Sequence, residues 1–300
     1  MSTYFFADTA TLLGRSLRHV FRSADTIVTT AITPIAMLLL FVYVFGGAIE
    51  TGSASYVNYL LPGILLITIA TGISYTAFRL FLDTQSGIFE RFQSMPIARS
   101  SVLWAHVLTS LVANLISILV VVLVALLIGF RSSAGVLAWL AVAGILLLFT
   151  LALTWIAVIP GLIAKSADGA SAFSYPLVLL PFISSAFVPT DTMPGPVRAF
   201  AEHQPVTSIV NTIRDLLAGQ PVSSDIGVAL AWCVGILVVA QVFRRGHLPP
   251  PDLLAASVDE FGARAGSARH DPHRRRHLGL PRRLRHRAGS RSGRRAGDRR

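Results

Sequence analysis

The stretch VNYLLPGILLITIATGISYTAFRL, residues 57–80, carries one charged side chain, that of Arg79. Its length matches the roughly 20 residues that an α-helix needs to cross the hydrocarbon core of a bilayer. The composition of the whole chain agrees with this, because 53% of its 300 residues are hydrophobic and only 14% are charged. The mean hydropathy of +0.63 lies well to the apolar side of soluble domains. Residues 57–80 therefore predict a membrane-spanning helix.

Similar apolar blocks occur on both sides of this one, and together they number about six by the hydropathy criterion. They are Ile27–Ile49, Val57–Leu80, His106–Ile128, Val136–Pro160, Phe173–Pro189 and Ile226–Phe243. The fifth block is short and contains Pro176 and Pro181, each of which removes a backbone hydrogen-bond donor. The pattern predicts an all-α membrane protein with about six transmembrane helices.

The distribution of basic residues between the blocks predicts the orientation of the chain. One set of connections carries Arg15, Arg18, Arg22, Arg79, Arg91, Arg99, Lys165, Arg244 and Arg245, and the other carries Arg131, Arg198 and Arg214. Basic residues are enriched in the cytoplasmic loops of membrane proteins. Both termini are therefore expected in the cytoplasm, together with the segment GIFERFQSMPIARSS, residues 87–101.

The N-terminal residues 1–26 are predicted to form a basic amphipathic helix at the membrane surface. Apolar residues recur at near-helical spacing in TLLGRSLRHVFRSADT, and Arg15, Arg18 and Arg22 occupy another face. Such a helix lies in the headgroup plane, here on the cytoplasmic side. Simple anchoring to lipid and a docking role fit this pattern equally well.

The C-terminal residues 244–300 contain most of the excess positive charge. The formal net charge is +11, and residues 251–300 alone carry 14 basic and 5 acidic residues. This tail lacks apolar periodicity, which predicts disorder. Attraction to anionic lipid headgroups or to RNA is one interpretation. We favour the other, a solvated extension, and expect no nucleic-acid partner. The predicted domains are thus 1–26, the six-span part 27–243, and 244–300.

The sequence contains no motif for nucleotide or metal chemistry. A phosphate-binding loop needs the spacing G-x-x-x-x-G-K-[ST], which Lys165 in GLIAKSADG does not have. The eight histidines form no recognisable pair of metal ligands. Glu202 and His203 are adjacent, and adjacent residues on a helix point away from each other. We therefore expect no catalytic residue, metal or cofactor on this chain.

Mildly polar residues are scattered within the predicted spans, namely Thr68, Thr71, Ser74, Tyr75, Asn114, Ser117, Ser184 and Ser185. They are candidates to line a path for an amphipathic substrate. Residues of these types more often join neighbouring helices through hydrogen bonds and close packing, so both interpretations stand. Ionisable residues are scarce in the spans, which argues against an ion-coupled carrier.

A second amphipathic helix is predicted on the outer surface before the last span. Between Thr190 and Asp225, apolar residues repeat at helical spacing at Ile209, Val210, Ile213, Leu216 and Leu217. Gly219 and Pro221 follow and are expected to end this helix.

Three stretches in this topological order carry a resemblance to a known family. They are ITPIAMLLLFVYVFGGAI (residues 32–49), GIFERFQSMPIARSSVLWAHVL (residues 87–108) and SSAFVPTDTMPGPVRAFAEHQPVTSIVNTIRDLLAG (residues 184–219). They resemble the permease subunits of type-2 ATP-binding cassette (ABC) transporters, above all the daunorubicin-resistance type. The resemblance extends over residues 11–245, and the basic tail departs from it, since such subunits usually end soon after the last span.

The resemblance implies that the segment after the second span is similar to a coupling helix, which binds a separate ATPase subunit. Its contact residues would be Phe89, Glu90, Arg91 and Phe92, with Arg99 nearby, and they would combine aromatic surface with complementary charge. Pro96 would end this helix. The alternative is a solvated connector, because short charged loops are ordinary between spans.

By the same resemblance, ATP and Mg²⁺ would be bound by the partner ATPase and not by this chain. The chain would work as a homodimer or with a similar permease, among lipids of a bacterial plasma membrane. The cargo would be a hydrophobic drug, antibiotic or lipid-like compound that is moved outward. The alternatives are an ATP-independent carrier or flippase, and a membrane-embedded lipid enzyme, for which convergent acid, base or metal groups are missing from the sequence.

Overall fold

A computed structural model of the chain describes residue 14 and residues 24–47, 55–86, 99–221 and 225–247. These residues form helices and their connections, and none of them lies in a strand. The long helices are α1 (Ala24–Leu40), α2 (Tyr56–Gln85), α3 (Arg99–Ile128), α4 (Val136–Ile163) and α9 (Asp225–His247). The shorter ones are α5 (Ala167–Ala172), α6 (Ser174–Leu179), α7 (Gly195–His203) and α8 (Pro205–Leu217). A π-helix lies at Phe41–Phe45, and 3₁₀-helices lie at Leu180–Ile183 and Thr190–Thr192. The all-α prediction is confirmed.

Within the described ranges, four helices are long and apolar enough to cross a membrane, namely α2, Leu103–Ile128 of α3, α4, and Asp225–Phe243 of α9. They correspond to the second, third, fourth and sixth apolar blocks of the sequence. α2 continues past its block to Gln85, and α3 begins before its block at Arg99. These additional turns contain polar and charged residues, which a hydropathy scan does not assign to a span.

The first predicted block contains a shorter apolar helix, Thr30–Phe45. α1 contains Pro34 and continues without a break into the π-helix, so helical residues extend from Ala24 to Phe45. At 1.5 Å per residue this stretch is about 33 Å long, which is comparable to a hydrocarbon core of about 30 Å. The π-helix has i→i+5 hydrogen bonds and is a rare form within α-helices.

The fifth predicted block is interrupted, in agreement with its two prolines. It contains α6, the 3₁₀-helix Leu180–Ile183 and the irregular residues 184–189. The Ser74 hydroxyl donates to the Ser171 carbonyl at 3.4 Å, and the Tyr56 hydroxyl donates to the Phe187 carbonyl at 3.4 Å. These two contacts are separated by about 27 Å along α2. The interrupted segment, together with α5, therefore extends along most of that helix.

α2 is the central helix of the bundle. Of the 18 most apolar consecutive residues of α2, 78% are buried inside the bundle, whereas the corresponding share for α9 is 17%. Leu60, Leu61, Ile64 and Ile69 of α2 are fully buried in the main apolar cluster. The helix contacts α1, α3, α4, α5, α6 and α8. A displacement of α2 would therefore change the packing of each of these neighbours.

Two glycines allow close contacts near opposite ends of α2. A Cβ atom added to Gly63 of α2 would lie 2.5 Å from the Cβ atom of Ala186. A Cβ atom added to Gly161 of α4 would lie 2.9 Å from Cδ2 of Leu80. Neither position accepts a methyl group unless a neighbouring atom shifts.

Candidate functional site

The segment predicted to contact an ATPase connects two helix ends. α2 ends at Gln85 and α3 begins at Arg99, whose side chain is not among those the structure describes. Outside the described residues lie Phe89, Glu90, Arg91 and Phe92 of this segment, and Arg15, Arg18 and Arg22 of the predicted interfacial helix. Their predicted roles stay predictions.

The candidate path residues of α2 face different neighbours. Thr68 is fully buried, and its hydroxyl donates to a carbonyl of its own helix at 2.8 Å. Ser74 is half-buried beside α5, where it donates to Ser171. Tyr75 is half-buried, and its ring centroid lies 5.8 Å from Cζ of Arg79. Thr68 therefore bonds within α2, whereas Ser74 joins α2 to α5.

Asn114 and Ser117 of α3 lie at a buried polar contact with α1 and α2. The hydroxyls of Ser117 and Thr30 form a hydrogen bond of 3.0 Å. The Asn114 side-chain nitrogen donates to the Ser110 carbonyl at 3.0 Å, while its side-chain oxygen has no hydrogen-bond partner among the described residues. That oxygen is 2.1 Å from the place where a Cβ atom of Gly72 would lie. A glycine at this position therefore lets α2 and α3 approach closely.

Ser184 and Ser185 lie in the irregular residues 184–189. The Ser184 hydroxyl donates to the Pro181 carbonyl at 2.6 Å and accepts from the Ala186 amide at 3.1 Å. The Ser185 hydroxyl donates to Oδ1 of Asn211 on α8 at 2.6 Å. The structure thus places the candidate path residues in two groups, one along α2 and α3 and the other beside α8.

A polar cluster forms around Arg214 of α8, which the sequence analysis counted only as a loop charge. The guanidinium donates to the Tyr59 carbonyl at 3.2 Å and to the Ser185 carbonyl at 2.7 Å. It also donates to Oδ1 of Asn211 at 3.0 Å, and its Cζ lies 3.8 Å from the centroid of the Tyr59 ring. Arg214 therefore joins α8 to α2 and to residues 184–189.

Other hydrogen bonds connect the same end of the bundle. The Asn58 side chain donates to the Arg131 carbonyl at 2.9 Å and accepts from the Arg131 amide at 3.1 Å. The hydroxyls of Ser132 and Ser133 donate to carbonyls at the C-terminal end of α8, at 2.7 and 2.6 Å. We call this region the Arg214 end. It comprises the first turns of α2, the connection between α3 and α4, residues 184–189, and α8.

At the opposite end of the bundle, side chains of regular helices contact each other. Oδ2 of Asp83 on α2 lies 3.2 Å from Nε2 of His106 on α3. About two turns further along α2, the hydroxyls of Thr76 and Ser110 form a hydrogen bond of 2.6 Å. We call this region, the last turns of α2 with the first turns of α3, the Asp83 end. It adjoins the segment predicted to bind an ATPase.

Burial shifts two pKa values on α8. It raises the pKa of the Asp215 carboxyl above its ordinary value, although the nearby Arg214 opposes this shift. Burial also lowers the pKa of Arg214. The guanidinium remains charged, because arginine is not deprotonated in proteins. Its positive charge is therefore available for the hydrogen bonds to Tyr59 and Ser185.

Glu202 and His203 have separate partners on α7, as expected for adjacent helical residues. Nε of Arg198 donates to Oε1 of Glu202 at 2.7 Å, and this contact raises the pKa of Arg198. Nδ1 of His203 lies 2.8 Å from the Ala199 carbonyl. In the part of the chain that the structure describes, no three His, Cys, Asp or Glu residues form a group that could hold a metal ion.

Comparisons with known proteins add the following. The sequence model of the family described as ABC-2 type transporter matches residues 8–218. A daunorubicin resistance ABC transporter permease of Streptomyces coeruleorubidus is 27% identical over 241 residues, which cover 77% of this chain and 84% of that protein. A permease of Mycobacterium tuberculosis named for doxorubicin resistance is 25% identical over 239 residues, or 79% of this chain and 87% of the relative. A transport permease of Porphyra purpurea is 28% identical over 214 residues, or 68% and 71% of the two chains.

Proposed function

Because the chain belongs to the ABC-2 type transporter family, it is a multi-pass membrane permease of an ABC exporter, and we propose that a separate ATPase subunit drives it. In this proposal, ATP and Mg²⁺ are bound by that subunit and not by this chain. The names of the relatives, which refer to daunorubicin and doxorubicin resistance, support a hydrophobic drug, antibiotic or lipid-like compound as the exported substrate.

The proposed ATPase contact is the segment between α2 and α3, with Phe89, Glu90, Arg91, Phe92 and Arg99 as contact residues. The observation that carries this proposal is the position of the segment. It continues directly from α2, the most deeply buried of the four candidate spans. A ligand or partner shifts an equilibrium between two packings only if it binds them differently. An ATPase that changes shape while bound to this segment would favour one of two packings of α2 over the other.

We also propose six spans with both termini in the cytoplasm. The first span would be α1 with the π-helix, and the fifth would be the interrupted segment that contains α6. Their contacts along α2 support this count, because both lie beside a helix that is itself long enough to cross the membrane. Residues 1–23 would lie on the inner membrane surface, and residues 248–300 would form a solvated tail. Residues 24–26 and 244–247, which the sequence analysis assigned to these two segments, belong to α1 and α9 in the structure.

The proposed working unit is a dimer, either of two copies or with a similar permease, surrounded by lipid. Exposed apolar side chains support such contacts, since Leu119, Leu123 and Leu127 of α3 are 57%, 51% and 88% exposed. Several candidate path hydroxyls are hydrogen-bonded inside one subunit. A substrate path along Ser117 would therefore require α1 to separate from α3, and one along Ser185 would require residues 184–189 to separate from α8 during the cycle.

The test of the proposed function is a reconstituted complex of this chain with its ATPase subunit in lipid vesicles. ATP-dependent export of daunorubicin and daunorubicin-stimulated ATP hydrolysis are measured for the wild type and for Glu90→Ala with Arg91→Ala. We expect the double variant to insert normally but to lose both activities, because the contact that transmits the ATPase motion is removed. Unchanged export would refute the assignment of the coupling segment.

A matched control is Arg198→Ala with Glu202→Ala, which also removes one basic and one acidic residue. This pair lies at exposed positions of α7, so export should remain at the wild-type level. Export against a gradient by the permease alone, with no ATPase present, would refute the proposed function as a whole and favour an ATP-independent carrier.

A further inference from the structure

Asp83 and His106 form a polar contact between the two helices that the proposed coupling segment connects. Asp83 lies in the last turn of α2, and His106 lies in the second turn of α3. The distance between Oδ2 and Nε2 is 3.2 Å, and each side chain is 27% exposed. This pair is thus the described link between α2 and α3 that lies nearest to residues 87–98.

The pair lies at the ends of the two helices and not in the middle of the membrane. Asp83 follows the apolar block of residues 57–80, in the last turn of a helix about 45 Å long, which exceeds a hydrocarbon core of about 30 Å. The ion pairs of Arg198 with Asp191 and Glu202 lie instead around the exposed helix α7. The partial burial of Asp83 and His106 and their location beside the coupling segment make this pair a candidate link for transport.

Packing beneath the pair continues into α4. Trp104 of α3 and Trp155 of α4 pack edge to face with centroids 5.1 Å apart. Leu80 of α2 lies close to Gly161 of α4. Leu80 of α2 and Val107 of α3 belong to the same buried apolar cluster, so packing also joins these two helices about one turn deeper than the pair. The contact between Asp83 and His106 is the polar link between α2 and α3 on the side of the coupling segment.

We propose that Asp83 and His106 are positioning residues that hold the ends of α2 and α3 together, so that both helices move as one unit when the coupling segment is displaced. The inference rests on the proposed function, since it requires an ATPase that acts on this segment. If the pair were absent, part of the displacement would spread the two helix ends apart. Less of it would then reach the Thr76–Ser110 contact and the rest of α2.

A positioning role can be separated from a purely structural one. Replacement of an ion pair by apolar residues of similar volume is often neutral for stability. The variant Asp83→Leu with His106→Leu therefore removes the polar link while it preserves packing. A second variant, Asp83→His with His106→Asp, restores the link with its partners exchanged. Thr84→Val is the matched control, because the Thr84 hydroxyl donates within α2, to the Leu80 carbonyl at 2.8 Å.

The experiment uses the same reconstituted complex and daunorubicin as the transported probe. We expect the leucine pair to melt within about 2 °C of the wild type. Daunorubicin exported per ATP hydrolysed should fall about tenfold, which corresponds to about 1.4 kcal/mol of lost coupling. The KM for daunorubicin should not change. The exchanged pair should recover coupling to within about twofold of the wild type, and Thr84→Val should retain it fully.

Two results would overturn the inference. One is full coupling in a folded leucine-pair variant. The other is an exchanged pair that folds normally but does not recover coupling, and this second result decides the question even if the leucine pair fails to fold. Failure of the proposed function itself gives a different result, because the wild-type complex would then show no ATP-dependent export of daunorubicin.

Discussion

The contacts within the Arg214 end of the bundle differ in kind from those within the Asp83 end. At the Arg214 end, side chains donate to backbone carbonyls of other elements, as Arg214 does to Tyr59 and Ser185. At the Asp83 end, side chains of two regular helices contact each other, as Asp83 and His106 do. A side-chain bond to a backbone carbonyl ties a helix to a whole neighbouring segment, whereas a pair of side chains joins two helices that can still move together.

The difference arises from the backbone itself. The Arg214 end contains irregular residues, including 129–135 and 184–189, whose buried carbonyls have no partner in a regular helix. Arg214 donates to the Ser185 carbonyl and Asn58 donates to the Arg131 carbonyl, while Ser132 and Ser133 donate to carbonyls at the C-terminal end of α8. At the Asp83 end, the carbonyls of α2 and α3 are mostly paired within each helix. Irregular backbone therefore requires cross-links, and these cross-links make the Arg214 end the more rigid one.

The strongest test of this comparison is Arg214→Ala. The substitution leaves the Tyr59 and Ser185 carbonyls without their charged donor, so we expect the free energy of unfolding to fall by about 2–3 kcal/mol. Thermal unfolding of the chain in lipid nanodiscs would measure the change. Arg198→Ala is the control, and its melting temperature should equal that of the wild type because its ion pairs are exposed. Equal effects of the two substitutions would contradict a special role for the Arg214 contacts.

A second test compares glycines at the two ends. In Gly63→Ala the new methyl group meets Ala186, whose Cβ is fixed to the backbone, so overpacking should cost about 1–3 kcal/mol. In Gly161→Ala it meets Leu80, whose Cδ2 can rotate but whose Cβ, 3.1 Å away, must shift slightly, and the helix gains about 1 kcal/mol of propensity. We expect a clear loss of thermal stability for the first variant and a smaller one for the second. A larger loss for Gly161→Ala would mean that the Asp83 end is the stiffer one.

The smallest expected effect is that of Asp215→Asn at the Arg214 end. Burial raises the pKa of Asp215 in the folded chain, so the folded state holds this proton more tightly than the unfolded state does. The stability of the wild type is therefore lower above the raised pKa than below the ordinary one. Asp215→Asn should melt slightly higher than the wild type at pH 7, and the difference should shrink as the pH falls towards the ordinary pKa of an aspartate. A difference that grows on acidification would show that attraction to Arg214 outweighs burial.

The long helices could be predicted from the sequence because apolar length alone defines them. The predicted block Val136–Pro160 and the helix Val136–Ile163 begin at the same residue. The interruption of the fifth block could also be predicted, since Pro176 lacks a backbone donor whatever surrounds it. The extension of α2 to Gln85 could not, because its last turns contain Asp83, and hydropathy does not distinguish a polar helical turn from a loop.

The contacts within each of the two ends could not be predicted from the sequence. Arg214 and Tyr59 are 155 residues apart, and nothing local to either residue specifies the other. The sequence did indicate the amphipathic spacing of α8, which places Ile209, Ile213 and Leu216 in the core. His106 was recognised only as the start of a span. Its pairing with Asp83 depends on how far α2 extends beyond its apolar block.

The π-helix at Phe41–Phe45 means that the first helix can become longer without adding residues. If its i→i+5 hydrogen bonds changed to i→i+4, the same residues would occupy a longer and narrower helix, with the far end advanced by about 1.5 Å and turned by about 100°. Gly46 and Gly47 follow immediately and could absorb that rotation. The first helix could thus keep contact with a moving neighbour by rewinding one turn, because each i→i+5 hydrogen bond that breaks is replaced by an i→i+4 bond.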